Sequence, residues 1–456
     1  MHNQSQSRVF HSTPPHPTPM ASPVPPFPDA PPPPPCSAAP AATPCRDDAL
    51  PSIEAQANLP DHLTEEILLR VPTAADLTRA SMADPSLRRI IADHSFLRRF
   101  RTLHPPPLLG ILSDPFLPAQ PRHPSAAAAQ TLAGTDFSCS FLPSREQPWR
   151  RCDFRDGRAL LCVHTDDRRL VRDVAVCDPL HRRYVVLPPV PQDLSDLVNH
   201  WELFLAPAGV EQDTGIAADA PFRFRVMCLA KYQQTQTQSQ LVLFVLSSSG
   251  PRAEQEQWHA VAFDGWSALA AGMGDGDGGD QDARPSTVLG NRYYVHGCFC
   301  WAMPLIDKLL MLDIATMEFS SVDIPPSPWD CQLAFVEARE RRLGMFALSR
   351  NSIYHLLYSI LVSIGDDDPR QWQMEAVVPL RHDYCYYIIG VAGGYLLLHG
   401  YPYNPESSFE LPEPDCFSLD LQTLKLERFC ETGWIMPLKS QLLYAGFPPS
   451  LSPPTI

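Results

Sequence analysis

The densest set of metal-type side chains in the sequence is His296, Cys298 and Cys300, spaced two apart within the aromatic run Tyr293 to Trp301. Alternation by two places all three on one face of a strand. A zinc site needs a fourth ligand that the neighbouring sequence does not offer, so the run reads as core packing. Gly272 to Asp280 alternates Gly and Asp like a calcium loop. Counted from Asp275, however, the twelfth position, where an EF-hand carries glutamate, is Ser286, and three carboxylates would repel a phosphate. This stretch reads as a flexible acidic loop. No G-x-S-x-G elbow, P-loop, Rossmann glycine fingerprint or H-E-x-x-H is found. His164, His259 and His399 fall in separate strand-like segments with no nucleophile beside them. The sequence therefore assigns no catalytic residue, no metal site and no cofactor. What remains is binding chemistry: a stripe of Leu63, Ile67 and Val71 four apart, with Leu59, Pro60, Leu68, Pro72 and Leu77 around it.

That stripe belongs to a helical segment, residues 58–104. Asp61 is placed to cap a first helix that Pro72 stops. Thr73 to Asp76 matches a capping box for a second, carrying Leu77 and Ala80 inward. Asp84-Pro85 reads as an N-cap with proline at N1, and a last turn or short helix from Ser95 carries Phe96, Leu97 and Phe100. A unit this small rarely encloses its own apolar surface, so part of the stripe is left for a partner or an adjoining domain.

Around this segment the composition changes. Residues 1–57, rich in Pro, Ala and Ser, read as a disordered tail. Residues 105–136 return to Pro and Ala and read as a semi-rigid linker, although Pro107 to Leu112 is apolar enough to open the next domain as a strand. Residues 137–456 hold short apolar runs punctuated by Gly, Pro and Asp: Ala159 to Val163, Val171 to Cys177, Phe222 to Leu229, Leu241 to Leu246, Leu309 to Asp313, Leu343 to Leu348, Tyr386 to Val391 and Tyr395 to Leu398. This pattern predicts an all-β domain, too long for a single sandwich.

A degenerate repeat points to a β-propeller. Cys177-Asp178, Leu312-Asp313 and Leu419-Asp420 each continue through three residues to an apolar or aromatic return, the pattern of a strand ending at a turn aspartate. Phe263-Asp264-Gly265 is a weaker copy. The separations between Asp178, Asp264, Asp313 and Asp420 behave as two, one and two units of blade length. Five intervals favour six blades, with seven left open.

The charge balance limits the partners. Thirty-six basic and 51 acidic residues give a net charge of −15, which disfavours nucleic acid and anionic membrane surfaces. The apolar run Ile353 to Ile364 falls short of the ~20 residues that span a bilayer. Thirteen scattered cysteines without a CxxC pair suggest reduced thiols rather than a disulfide framework. These features together predict a soluble protein of the cytoplasm or nucleus that binds other proteins.

The helical segment resembles an F-box through Leu59-Pro60, Leu63, Glu66-Ile67-Leu68, Arg70-Val71-Pro72, Asp76-Leu77, Arg79-Ala80, Arg88 to Ile91, Asp93 and Phe96 to Arg99. It departs from the family at Met82 to Leu87, where many members carry an aromatic in the place of Leu87. The downstream domain resembles the F-box-associated β domains of plant F-box proteins, through Cys177-Asp178-Pro179 with Leu187-Pro188-Pro189, Val295-His296-Gly297 with Trp301, Leu312-Asp313 through Ile324-Pro325, and Gly446 to Leu451. The resemblance implies a multidomain α+β chain, a small helical F-box followed by a large β-propeller-like domain. It implies a non-catalytic receptor subunit of an SCF-type cullin–RING ubiquitin ligase. In that role Leu59, Pro60, Leu63, Ile67, Leu68, Val71, Pro72 and Leu77 bind the adaptor subunit, and through it a cullin, while the β domain binds a protein substrate. The alternative is a propeller enzyme, a ligand-binding protein or a non-ligase scaffold, in which the helices serve only as a packing element.

Overall fold

A computed structural model describes residues 59–72, 74–104, 106–164, 171–191, 198–207, 224–233, 239–248, 257–271, 289–326, 331–349, 354–362, 370–402, 413–432 and 442–447. The expected N-terminal tail, Thr73, the Gly/Asp-rich loop and most of the Gln-rich stretch lie outside these residues.

Four helices come first: α1 (Asp61–Leu69), α2 (Ala74–Ala83), α3 (Pro85–Ile91) and α4 (His94–Leu103). Proline pre-sets φ at the start of α3, where the Asp84 carboxylate accepts the Ser86 N–H at 2.6 Å. Asp93 caps α4 in the same way, accepting from Ser95 at 2.8 Å. Asp61 does not cap α1 as the sequence suggested: Pro60 holds the cap position, and Asp61 instead pairs with Arg89 of α3 at 2.7 Å. Leu68, Leu69, Leu77, Ile90, Ile91, Phe96, Leu97 and Phe100 form the helical core, and Phe447, from the far end of the chain, completes it. His104 stacks on Phe100 with ring centroids 4.2 Å apart, and its Nε2 lies 2.8 Å from the Leu69 carbonyl.

Residues 105–136 are more than a linker. β1 (Leu108–Leu112) and β2 (Leu117–Pro118) form a hairpin, and α5 (Ala126–Gln130) packs behind it. Leu108, Leu109 and Ile111 are fully buried. The sequence showed the Pro107 to Leu112 strand but not β2 and α5, which are two and five residues long and set among prolines and alanines.

Five antiparallel four-stranded sheets follow in chain order. They are β3 (Arg150–Arg155), β4 (Arg158–His164), β5 (Val171–Asp178) and β6 (Arg183–Leu187); β7 (Val198–Leu205), β8 (Arg225–Gln233), β9 (Ser239–Ser247) and β10 (His259–Ala262), trailed by α6 (Trp266–Ala271); β11 (Arg292–Val295), β12 (Cys298–Met303), β13 (Lys308–Asp313) and β14 (Phe319–Asp323); β15 (Cys331–Glu337), β16 (Leu343–Ser349), β17 (His355–Val362) and β18 (Gln371–Pro379); and β19 (Tyr384–Ala392), β20 (Tyr395–Pro402), β21 (Asp415–Asp420) and β22 (Leu426–Glu431). β23 (Leu442–Ala445) returns to pair antiparallel with β1, giving the three-stranded order β2-β1-β23. Each sheet is a meander, and large buried clusters fill the spaces between successive sheets. The chain forms a six-bladed β-propeller.

Two turn types recur. Asp178, Asp313 and Asp420 each end the third strand of a blade and accept two backbone N–H groups from the turn, for example Gln422 at 2.9 Å and Thr423 at 2.8 Å. Four residues past each aspartate the chain is left-handed, at Arg182, Met317 and Leu424. Asp264 does not share this geometry: it follows the fourth strand of its blade. Asp178 to Asp264 therefore spans one blade rather than two, and the sixth blade is the β1–β23 closure that the spacing count did not contain. The hairpins from first to second strand use two-residue turns with positive φ at both positions, at Asp156-Gly157, His296-Gly297 and Gly393-Gly394. At Gly393 a Cβ would stand 2.5 Å from the Leu108 nitrogen, so this glycine also permits the closing blade to approach.

A chain shortened to begin at residue 137 loses β1 and β2 and leaves β23 unpaired. Calorimetry is expected to show no cooperative unfolding of the shortened chain; a native-like transition would mean that the ring closes without β1. Two buried histidines, His123 and His399, are held down to about 4 by burial, from an ordinary 6.5. Between these values the unfolded chain takes up protons that the folded chain refuses. The contribution of these two histidines is therefore constant above pH 7, falls as the pH drops through 6.5, and is lower by about 2 kcal/mol per histidine at pH 5. His399→Gln should remove its share of the difference between denaturation at pH 7.5 and at pH 5.

Candidate functional site

Two surfaces can bind. The first is the face of α1. Leu63 and Ile67 sit one helical turn apart, 44% and 56% exposed, and Leu59 just ahead of the helix is 52% exposed. Pro60 and Pro72 are also exposed, and Val71 is half-buried against the helical core. Leu68 and Leu77, which the sequence grouped with the contact set, belong to that core, and Leu77 has no exposed surface. They support the face rather than form it, because the opposite side of α1 must seal against α3 and α4. Arg99 of α4 reaches both Glu65 and Glu66 at 2.5 Å and fixes the rotation of α1. Sequence reasoning missed two further exposed apolar side chains, Met82 and Leu103.

The second surface is the central channel, about 1550 Å³, walled by the first strand of each of the five four-stranded blades and by β23. On its wall stands Arg292 of β11, a buried charge whose side chain is 9% exposed. The guanidinium reaches Asp153 on β3 at 3.0 Å and pairs with Glu202 on β7, while lying over the Phe204 ring at 4.4 Å. Both carboxylates have further donors: the Leu205 N–H reaches Asp153 at 2.8 Å, and the Trp301 indole N–H reaches Glu202 at 2.8 Å. One cation thus ties three blades together across a gap that apolar packing leaves open. Glu202, the more exposed acid, turns an acceptor toward the channel. Arg155 stands over the Tyr294 ring at 5.0 Å.

At one mouth of the channel, the His296 N–H donates to Glu337 at 2.8 Å, and His296 Nε2 lies 2.9 Å from the Arg342 carbonyl. His296 therefore occupies a turn beside the β15–β16 loop, while Cys300 lies in the core between blades. The run that the sequence treated as one strand is the β11–β12 hairpin. In the β15–β16 loop, Glu340 and Arg341 are consecutive left-handed residues without glycine, a costly conformation concentrated at the channel mouth. Nothing in the sequence pattern brings Asp153, Glu202 and Arg292 together, since their meeting depends on ring closure. The available sign was a charged residue at the edge of an aromatic strand, as in Arg292-Tyr293-Tyr294.

No family model matches the chain, and no curated protein matches its sequence. Among solved structures it is similar to a lectin of the fungus Aleuria aurantia, described as a six-bladed β-propeller with a fucose recognition mode, at 8% identity over 63% of this chain and 80% of that one, with a TM-score of 0.33. It is also similar to a putative 6-phosphogluconolactonase of Bacteroides uniformis, at 9% identity over 62% of this chain and 84% of that one, TM-score 0.30. A third is an exo-1,5-α-L-arabinanase from a bovine ruminal metagenomic library, at 8% identity over 63% of this chain and 99% of that one, TM-score 0.28. Lectins and enzymes stand side by side here and favour neither activity. The blade count rests on the strand order itself.

Arg292→Met leaves the buried Asp153 carboxylate and the part-exposed Glu202 without their cation and should destabilise the fold by about 3 kcal/mol. Adding Asp153→Asn and Glu202→Gln to that variant should restore most of the loss. Denaturant titration of the single and triple variants checks both outcomes; equal stabilities would mean that the ion cluster does not join the blades.

Proposed function

We propose that this chain is a non-catalytic substrate receptor of an SCF-type ubiquitin ligase, its helical segment acting as an F-box and its propeller holding a protein target. The observation that carries the reading is the exposed line Leu59, Leu63 and Ile67 on a helix whose other side is fully sealed. Residues of this kind left on a folded surface suit helix-in-groove association, and they stand at positions that match the F-box resemblance. The adaptor occupies that face, a cullin joins through the adaptor, and transfer chemistry takes place on other subunits, with this chain supplying proximity. Pro60 and Pro72 border the contact. The target binds the propeller.

A second reading, a ligand-binding or enzymatic propeller, draws on the charged channel. The helices would then be a packing element only, tied to the propeller through Phe447.

Leu63→Glu and Ile67→Glu place a charge in the proposed contact and should each weaken binding of purified adaptor by tenfold or more, about 1.4 kcal/mol. Thermal stability should change little, because both sites are at the surface. Isothermal titration calorimetry with the full chain measures the first effect and a melting curve the second. Undiminished adaptor binding by both variants, or no adaptor binding by the unaltered chain, overturns the receptor reading. Adaptor binding without ubiquitination of any target in a reconstituted ligase would indicate a scaffold instead.

A further inference from the structure

Blade 1 carries two thiols in contact at the channel wall. Cys152 is the bulged residue of β3, set between the Arg151–Leu161 and Asp153–Leu160 pairs, and Cys162 lies diagonally across on β4. Arg150 pairs with Cys162, so alternation along β3 keeps Cys152 on the face that Cys162 occupies, and the two sulfurs are 2.8 Å apart. His164, two residues on, places its Nδ1 3.6 Å from the Cys162 sulfur. Cys162 is fully buried, whereas Cys152 is half-buried and lines the channel. Two other thiol neighbours, Cys139 with Cys177 and Cys416 with Cys430, are buried on both sides and away from the channel.

We propose that Cys152 and Cys162 form a redox site: a peroxide entering the channel converts this dithiol, ahead of the other cysteines, to a reversible disulfide that links β3 to β4. Of the two sulfurs only Cys152 lines the channel, so it meets the peroxide, while the hydrogen bond from Cys152, ahead of the His164 ring, lowers the buried Cys162 thiol against the opposing effect of burial. The Cys152 sulfur attacks one peroxide oxygen, the O–O bond breaks, and Cys152 becomes a sulfenic acid as hydroxide leaves and takes up the Cys152 proton as water. The Cys162 sulfur then attacks the Cys152 sulfur, forming the S–S bond and expelling a second hydroxide, which departs as water with the proton that Cys162 gives up. Two thiols lose two electrons and two protons, and one peroxide becomes two waters. The proposal does not depend on what the helices bind.

The test treats the reduced full chain with stoichiometric hydrogen peroxide, blocks remaining thiols by alkylation and maps tryptic peptides by mass spectrometry. The expected product joins peptide 152–155 to peptide 159–168, is two hydrogens lighter than the reduced pair, and separates on dithiothreitol treatment. In Cys162→Ser, which removes the second sulfur, dimedone should trap sulfenic acid at Cys152. The proposal is overturned if both cysteines remain alkylatable at that dose, if Cys152 proceeds to sulfinic acid with Cys162 reduced, or if the Cys139–Cys177 or Cys416–Cys430 pair oxidises first.

Discussion

The hydrogen bonds between β1 and β23 join residues more than three hundred positions apart in the chain, and every other feature of the molecule depends on that seam. A ring of meanders has no closed form until its last blade is built from both ends. The Leu108, Leu109, Ile111 and Tyr444 side chains, all buried, supply the apolar surface that makes the closure favourable. The same seam sets the helices. Pro107 immediately before β1 accepts the Gly446 N–H at 3.1 Å, and Phe447 just after β23 enters the helical core against Phe100. The α1 face is thus anchored to the strands that close the propeller.

Inside the ring the balance of forces changes. Between blades, apolar side chains fill the wedges, but the first strands line the open channel. There the structure uses Arg292 with two acids and a backbone donor instead of more packing. Such a cluster contributes little net stability when complete and costs heavily when one member is lost, so it specifies how blades 1, 2 and 3 meet more than it strengthens them. The close thiol pair lies on the same wall, one residue from Asp153.

The β character of the chain was legible because each buried strand is a short apolar run bounded by turn residues. Seven of the eight runs named from the sequence coincide with strands, the eighth, Phe222 to Leu229, overlaps β8 from Arg225 onward, and Asp178, Asp313 and Asp420 occupy the turns that their chemistry suggests. Of the closing blade only β1 was legible, as the apolar run Pro107 to Leu112, because β2 and β23 are two and four residues long. Asp264 resembled the turn aspartates locally while following the fourth strand of its blade, so the blade total agreed although the Asp178–Asp264 interval was misassigned. On α1, periodicity identified an apolar helix but could not tell which residues face inward. Leu63 and Ile67 are separated from Leu68 and Leu69 by packing against α3 and α4, which local spacing does not encode. The Asp153–Glu202–Arg292 contact depends on three blades at once, and its one local sign is the charge of Arg292 at the edge of an aromatic strand.

The central claim is that a sealed helical unit presents one apolar face for a second subunit while the propeller remains free for cargo. Hydrogen–deuterium exchange of the full chain with and without saturating purified adaptor tests it most directly. The account predicts slowed exchange confined to peptides covering residues 59–72, with the strands that wall the channel unchanged. Slowing across those channel strands, with α1 exchanging as in the free chain, would contradict it.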